Sequence, residues 1–318
     1  MSDTDGPCYP DDIRSPMTAS PPDPRRNAFR SDLADIRLKG RVEAERFVEG
    51  RPARVRDCLT PLMRAPRPDA PVDTQLLLGE PVLVFKCPGE GWAWVQSQSD
   101  GYIGWCADEA LDFAAPAPTH RVTALWVHIY PAPDIKIAPV GFAPMNAQLA
   151  VSSMQAAAAG GSAGGAAGNA DRFAQLADGR FVVARHLAPL GAPAADDFVA
   201  VARRFLGTPY LWAGRSARGI DCSGLVQMGL AACGIDCPRD SDMQERELGM
   251  PVNEADPAAW QRGDLVFWKG HVGIVSAPGR LLHANAFHMQ TAEEDLVPAI
   301  ERIAAAGLTV TSVKRLSQ

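Results

Sequence analysis

Gly79, Gly89, Gly91 and Gly101 cut the stretch from Leu76 to Cys106 into apolar runs too short for a buried helix. The runs are Leu76 to Leu78, Pro81 to Phe85, Trp92 to Val95 and Tyr102 to Cys106. Each has strand length, and their close spacing predicts a small barrel. After Ala192 the pattern changes. Asp196 or Asp197 can cap a helix with Phe198, Val201, Ala202 and Phe205 on one face, ending at Gly207 before Pro209. A second helix starts near Cys222, runs through Leu225, Val226, Gly229 and Leu230, and stops at Gly234. Strand-length runs follow at Asp264 to Trp268, His271 to Ser276 and Arg280 to Ala284. Helices followed by consecutive strands indicate an α+β unit.

A chain of 318 residues suits two or three domains. Residues 1–30, rich in Pro, Asp and Ser, read as a disordered tail. Residues 31–57 read as a helical lead-in, with Leu33, Ile36, Val42 and Phe47 at helical spacing after Ser31 or Asp32 as cap. The barrel occupies 58–115. Residues 116–191 read as a second, degenerate unit of the same kind, with Gly179-Arg180-Phe181-Val182 standing where the first has its Gly101-Tyr102-Ile103-Gly104-Trp105. One irregular β linker is the alternative. Within it, 156–170 is almost entirely Ala, Gly and Ser and is expected to be a flexible loop. The α+β unit spans 192–318.

The formal net charge of -6 argues against a general affinity for nucleic acid or an anionic membrane surface. No stretch has the length and apolarity of a membrane span, and the first residues lack the basic start and apolar run of a signal peptide, so a cytoplasmic protein is expected. Seven cysteines at irregular spacing do not form a disulfide framework. Six histidines without a metal-binding pattern give no expectation of a metal or other cofactor.

Cys222 stands where a loop becomes a helix, in Gly219-Ile220-Asp221-Cys222-Ser223-Gly224. A thiol there feels the positive end of the helix dipole, which favours the thiolate and suits a nucleophile. Four separated segments carry a further signal: Gly207-Thr208-Pro209-Tyr210-Leu211-Trp212-Ala213-Gly214; Asp221-Cys222-Ser223-Gly224-Leu225-Val226; Gly263-Asp264-Leu265-Val266-Phe267-Trp268; and His271-Val272-Gly273-Ile274-Val275. In this order, over about 120 residues, they resemble the NlpC/P60 family of papain-like cysteine peptidases. The runs from Gly79 to Trp105, the closing Gly-Tyr-Ile-Gly-Trp above all, resemble a bacterial SH3 (SH3b) domain.

The resemblance implies a papain-like α+β catalytic domain behind two small SH3-like barrels, with Cys222 as nucleophile and His271 as its base. It implies His283 as the residue that orients the imidazole, with Asn285 the rival on the same strand face. A three-residue loop at Ala277-Pro278-Gly279 would put Gly273 opposite His283 and both histidines on one face; a two-residue loop would separate them. His288 reads as surface or loop, and Cys233 and Cys237 as packing residues. The Cys222 N–H and the Tyr210 hydroxyl are the expected oxyanion donors.

Members with SH3b domains ahead of the catalytic domain resemble γ-D-glutamyl-L-diamino acid dipeptidyl-peptidases, which demand a free N-terminal L-Ala. That resemblance assigns Asp221 and Glu80, with Tyr102 nearby, to the substrate ammonium, and Ser223 and Ser241 to the D-Glu, while Trp212 lines the site. Asp221 could instead be only a helix cap, and Glu80 an exposed strand charge. The implied partner is a short peptide, L-Ala-γ-D-Glu-diamino acid, met in murein peptide recycling. A wall-binding lytic endopeptidase, or an amidase or acyltransferase on the same fold, are the alternatives.

Overall fold

The computed structural model describes residues 22–87, 89–156, 172–253 and 256–316. The first barrel is a seven-stranded antiparallel sheet. Its strands lie in the order Val72–Leu77, Leu59–Met63, Ile103–Ala107, Trp92–Ser97, Pro81–Lys86, Arg51–Val55 and Leu111–Asp112. Alternate residues point inward as the pleat dictates, so Val82 and Val84 meet Ala93, Val95, Leu62, Leu76 and Cys106 in one core. The barrel therefore begins at Arg51, ahead of the boundary expected at Cys58.

The helical lead-in expected over 31–57 does not form. Ala34–Asp35 pairs in parallel with Phe47–Val48, and Ile36–Leu38 makes one 3₁₀ turn. Gly40, at φ 82°, then turns the chain out of any helical path. Leu33 and Ala28 are buried against Phe85, Trp94 and Trp105 on the barrel's outer face, whereas Ile36 is exposed. Docking on those aromatic rings overrides the local spacing. Residues 22–30, expected to belong to a disordered tail, are held by side-chain bonds, Arg25 to Asp240 and Asp242 and Arg26 to Glu247, while the rest of that expected tail lies outside the described residues.

The described residues of 120–189 hold three small antiparallel sheets around Val122, Val127, Ile129, Ala143, Leu149 and Val182. The Val151–Ala156 strand runs to the edge of the expected 156–170 loop, whose remainder lies outside the described residues.

The C-terminal unit is a six-stranded antiparallel sheet in the order Met250–Val252, Val310–Arg315, Leu265–Trp268, His271–Ala277, Arg280–Asn285 and Gln290–Asp295. Helices α1 (Phe198–Arg203), α2 (Cys222–Ala232) and α3 (Ser241–Glu247) precede its central strands, and α4 (Leu296–Ala305) follows the edge strand. Every residue of α2 except Ala231 is buried, so it behaves as a core helix without a polar face. One side meets α1 and the sheet through Val199, Ala202, Leu225, Phe267 and Ile274. Leu77 of the barrel and Met145 of the middle segment join the same cluster, so the three parts share one core. α4 covers the other sheet face through Leu296, Ala299 and Ile303 against Val266, Trp268 and Leu281.

A polar clamp crosses this junction. Arg215 Nη2 donates to Glu80 Oε1 at 2.9 Å, its Nη1 donates to the Gln75 carbonyl at 2.7 Å, and the Leu77 N–H donates to Glu80 Oε2 at 2.8 Å. Both charged side chains are only 4% exposed. Removing one charge would strand the other in a dry setting, which typically costs about 3–5 kcal/mol. Glu80→Ala is therefore expected to lower the unfolding free energy by about that amount, measured by urea titration, whereas an effect on substrate affinity alone would contradict a structural clamp.

Candidate active site

Asp221 caps α2: its Oδ1 accepts from the Gly224 N–H at 2.7 Å, which starts the helix with Cys222 at its first position. Cys222 is 7% exposed and faces the His271–Ala277 strand, where the Val272 N–H donates to its sulfur. Close packing produces this approach. A Cβ added at Gly224 would sit 2.4 Å from the Gly214 carbonyl oxygen, so the Gly207–Gly214 segment and the helix start need glycine to meet.

His271 opens that strand, and the next strand brings His283 beside it, Nε2 of His271 standing 2.9 Å from Nδ1 of His283. The hairpin between them turns on two residues, Ala277 pairing with Arg280, which by itself would separate the histidines. A bulge between Val275 and Ala277 restores the register, Ile274 facing Leu282. The expected shared face is thus reached through a bulge, not through a three-residue loop. His283 is 1% exposed, and its Nε2 lies 2.7 Å from Glu294 Oε1. Asn285, the rival orienter, instead accepts from the His288 N–H at 2.8 Å and holds the loop that follows.

Burial governs the charge state. It pushes the Cys222 thiol up to about 12, Asp221 adding to the effect, while the Val272 N–H and Arg239 oppose it. Burial brings the His271 imidazole down to about 3, helped by repulsion from His283 and Arg302 and opposed by Glu294. The expected thiolate-favouring helix start is outweighed by desolvation. Both shifts favour a protonated thiol on Cys222 and a neutral imidazole on His271 at rest. Tyr210 packs against the same cluster; burial, then the neighbouring Cys222, raises its phenol to about 12, so it keeps a proton to donate.

Beyond the nucleophile lies a network of buried charge. Arg239, 1% exposed, donates from Nη2 to Asp221 Oδ2 at 2.6 Å, from Nη1 to Ser223 Oγ at 2.8 Å and from Nε to Thr74 Oγ1 of the barrel at 2.8 Å. Asp221 also accepts from the Ala213 N–H at 2.8 Å. Next to Arg239, Asp240 accepts from the Tyr102 hydroxyl at 3.1 Å, and burial raises its carboxyl despite Arg239, Tyr102 and Arg25. Trp212 is two-thirds exposed and donates from Nε1 to the Val72 carbonyl of the barrel at 3.1 Å. Ser241 begins α3, half-buried.

The Bacterial dipeptidyl-peptidase Sh3 domain model matches residues 62–111, and the NlpC/P60 family model matches residues 207–298. A gamma-D-glutamyl-L-lysine dipeptidyl-peptidase of Bacillus cereus is 31% identical over 67% of this chain and 67% of its own. The chain belongs to the NlpC/P60 family. A second gamma-D-glutamyl-L-lysine dipeptidyl-peptidase, from Bacillus subtilis, is 29% identical over 68% of this chain and 73% of its own. The crystal structure of an NlpC/P60 family protein from Bacillus cereus matches the fold at a TM-score of 0.64 and 23% identity, covering 83% of this chain and 99% of that one. NlpC/P60 proteins are cysteine peptidases, and this chain is one of them.

The family fold thus brings Cys222, His271, His283, Tyr210, Asp221 and Ser223 into one region, with Tyr102 reaching it from the barrel. Glu80 is the exception. Its carboxylate is taken up by Arg215 and the Leu77 N–H and is 4% exposed, so it is spent on the junction. Reasoning from sequence missed Arg239 and Asp240, since neither stands beside the nucleophile in the chain. Their position just before Ser241 was the available signal.

Cys222→Ala is expected to abolish turnover with little loss of stability, and His271→Ala to lose at least about a hundredfold in kcat. Near-normal activity in either variant, by product mass analysis, would reject the mechanism. His271 is the expected base, and burial lowers its protonation range below the ordinary 6.5. kcat/KM should therefore stay level between about pH 5 and 7 and fall only on further acidification. An acid limb at or above the ordinary histidine range would contradict the burial argument.

Proposed function

We propose that this peptidase hydrolyses the bond from γ-D-Glu to a diamino acid in short peptidoglycan stem peptides that carry a free N-terminal L-Ala. Two relatives named gamma-D-glutamyl-L-lysine dipeptidyl-peptidase support the substrate class. The observation that carries the reading is the union of barrel and catalytic unit at the nucleophile: Tyr102 on Asp240, Thr74 on Arg239 and Val72 on Trp212. A barrel in that position walls the site and limits the ligand to a short peptide.

The ammonium contact is assigned to Asp240 with Tyr102 in place of Glu80, because Asp240 and Tyr102 meet across the junction and Asp240 stays a quarter exposed, whereas Glu80 is 4% exposed and closed on Arg215. Asp221 serves mainly as the helix cap and the partner of Arg239, its two oxygens accepting from Gly224, Ala213 and Arg239. Ser223 and Ser241 are assigned to the D-Glu, and Arg239, whose donors are taken by Asp221, Ser223 and Thr74, holds Ser223 in place. Tyr210 and the Cys222 N–H face the oxyanion. Turnover of free, released peptides would suit murein peptide recycling in the cytoplasm.

Acetylating the L-Ala amine removes a positive charge and adds bulk beside a half-desolvated carboxylate. We expect at least about a hundredfold drop in kcat/KM for N-acetyl-L-Ala-γ-D-Glu-diaminopimelate against the free peptide. Asp240→Asn should lower kcat/KM for the free peptide and narrow that ratio. Equal cleavage of both peptides would remove the barrel from the site wall and favour a wall-lytic endopeptidase.

A further inference from the structure

Glu294 lies on the edge strand Gln290–Asp295, two residues beyond Ala292, which pairs with His283. It therefore shares the sheet face of His283 as its diagonal neighbour. Its Oε1 meets His283 Nε2 at 2.7 Å and accepts from Arg302 Nη2 of α4 at 2.5 Å. Burial alone would raise this carboxyl, but the bond to His283 and the charges of His283, Arg302 and His288 hold it below its ordinary range. An ionised carboxylate only accepts hydrogen bonds. Whatever nitrogen faces it must carry a proton.

We propose that Glu294 is a positioning residue that fixes the tautomers of both histidines. With His283 protonated on Nε2 toward Glu294, its Nδ1 becomes an acceptor, and His271 must then hold its own proton on Nε2 to complete the 2.9 Å bond. Nδ1 of His271 is left with a free lone pair for the Cys222 thiol. The groups facing His283 are His271 from its neighbouring strand, Glu294 from the other, Arg302 from α4 and His288 from the loop. This inference rests on the assignment of Cys222 and His271 given above.

The donor atoms of His283, His288 and Glu294 also lie within 4.8 Å of one another, a spacing that could admit a metal ion. The Glu294 oxygen is already held by Arg302, however, and His288 Nδ1 lies 3.1 Å from Asn285 Oδ1. Both bonds would have to break first, so the arrangement favours the proton-orienting role.

The test is Glu294→Gln, which keeps the shape. Its amide can donate to His283 Nε2, which moves the His283 proton to Nδ1 and forces the His271 proton onto the nitrogen that should face sulfur. A drop in kcat of about 10- to 100-fold is expected, with KM within about twofold and unchanged thermal unfolding. Ring ¹⁵N spectra should show His283 switching from the Nε2–H to the Nδ1–H form. Glu294→Asp, which keeps an acceptor-only group, should retain more activity than Glu294→Gln. Equal loss in both variants without a tautomer change would mark Glu294 as structural only, and kcat within twofold of the parent in Glu294→Gln would overturn the proposal. Cys222→Ala and His271→Ala serve as controls: if either remains active, the underlying assignment fails, whereas inactive controls beside an unaffected Glu294→Gln reject this inference alone.

Discussion

The guanidinium of Arg239 is enclosed by the cap of the nucleophile helix, the serine after the nucleophile and a barrel threonine. A buried arginine is tolerable only when its donors are met, and here Asp221 supplies the opposite charge. The pairing has consequences at each level. It holds the side chain that caps α2, so it sets where the helix starts and hence where Cys222 points. Through Thr74 it ties that start to the barrel. It also places Asp240 and Ser241, the next two residues, at the rim of the same region.

A second arginine pairing, Arg215 with Glu80, supports the junction from the other side of the barrel's Val72–Leu77 strand. Between these two polar ties runs the apolar contact of Leu77 with the α2 cluster. Hydrophobic burial supplies the attraction, and the two ion pairs restrict how the parts can slide, since a shift in register would leave a charge unpaired in a dry interface. The site depends on that fixed register because its residues come from both sides.

Burial favours the neutral forms of Cys222 and His271, which leaves proton placement to the hydrogen bonds around the histidines. This gives weight to the hydrogen-bonded line from His271 through His283 to Glu294 and Arg302. Its members come from two adjacent strands, the edge strand and α4. A sheet hairpin with a single bulge brings the two histidines together, and the edge strand supplies the carboxylate.

The sequence by itself determined the short-stranded barrel, the α+β unit and the start of the Cys222 helix, because these follow from local periodicity and turn residues, while the expectation that Cys222 works with His271 and His283 came from the resemblance of its ordered motifs to a family. It did not determine the lead-in, whose helical spacing lost to docking on Trp94 and Trp105, nor the route by which the hairpin aligns its histidines, which a bulge at the turn decides. Only tertiary structure could assign Glu80 to Arg215, Tyr102 to Asp240 and Glu294 to His283. Each is a contact between side chains whose meeting depends on how strands or domains pack. An isolated carboxylate in a sequence carries no mark of which cation or donor will reach it, so its role is set by burial and by the partner that folding brings.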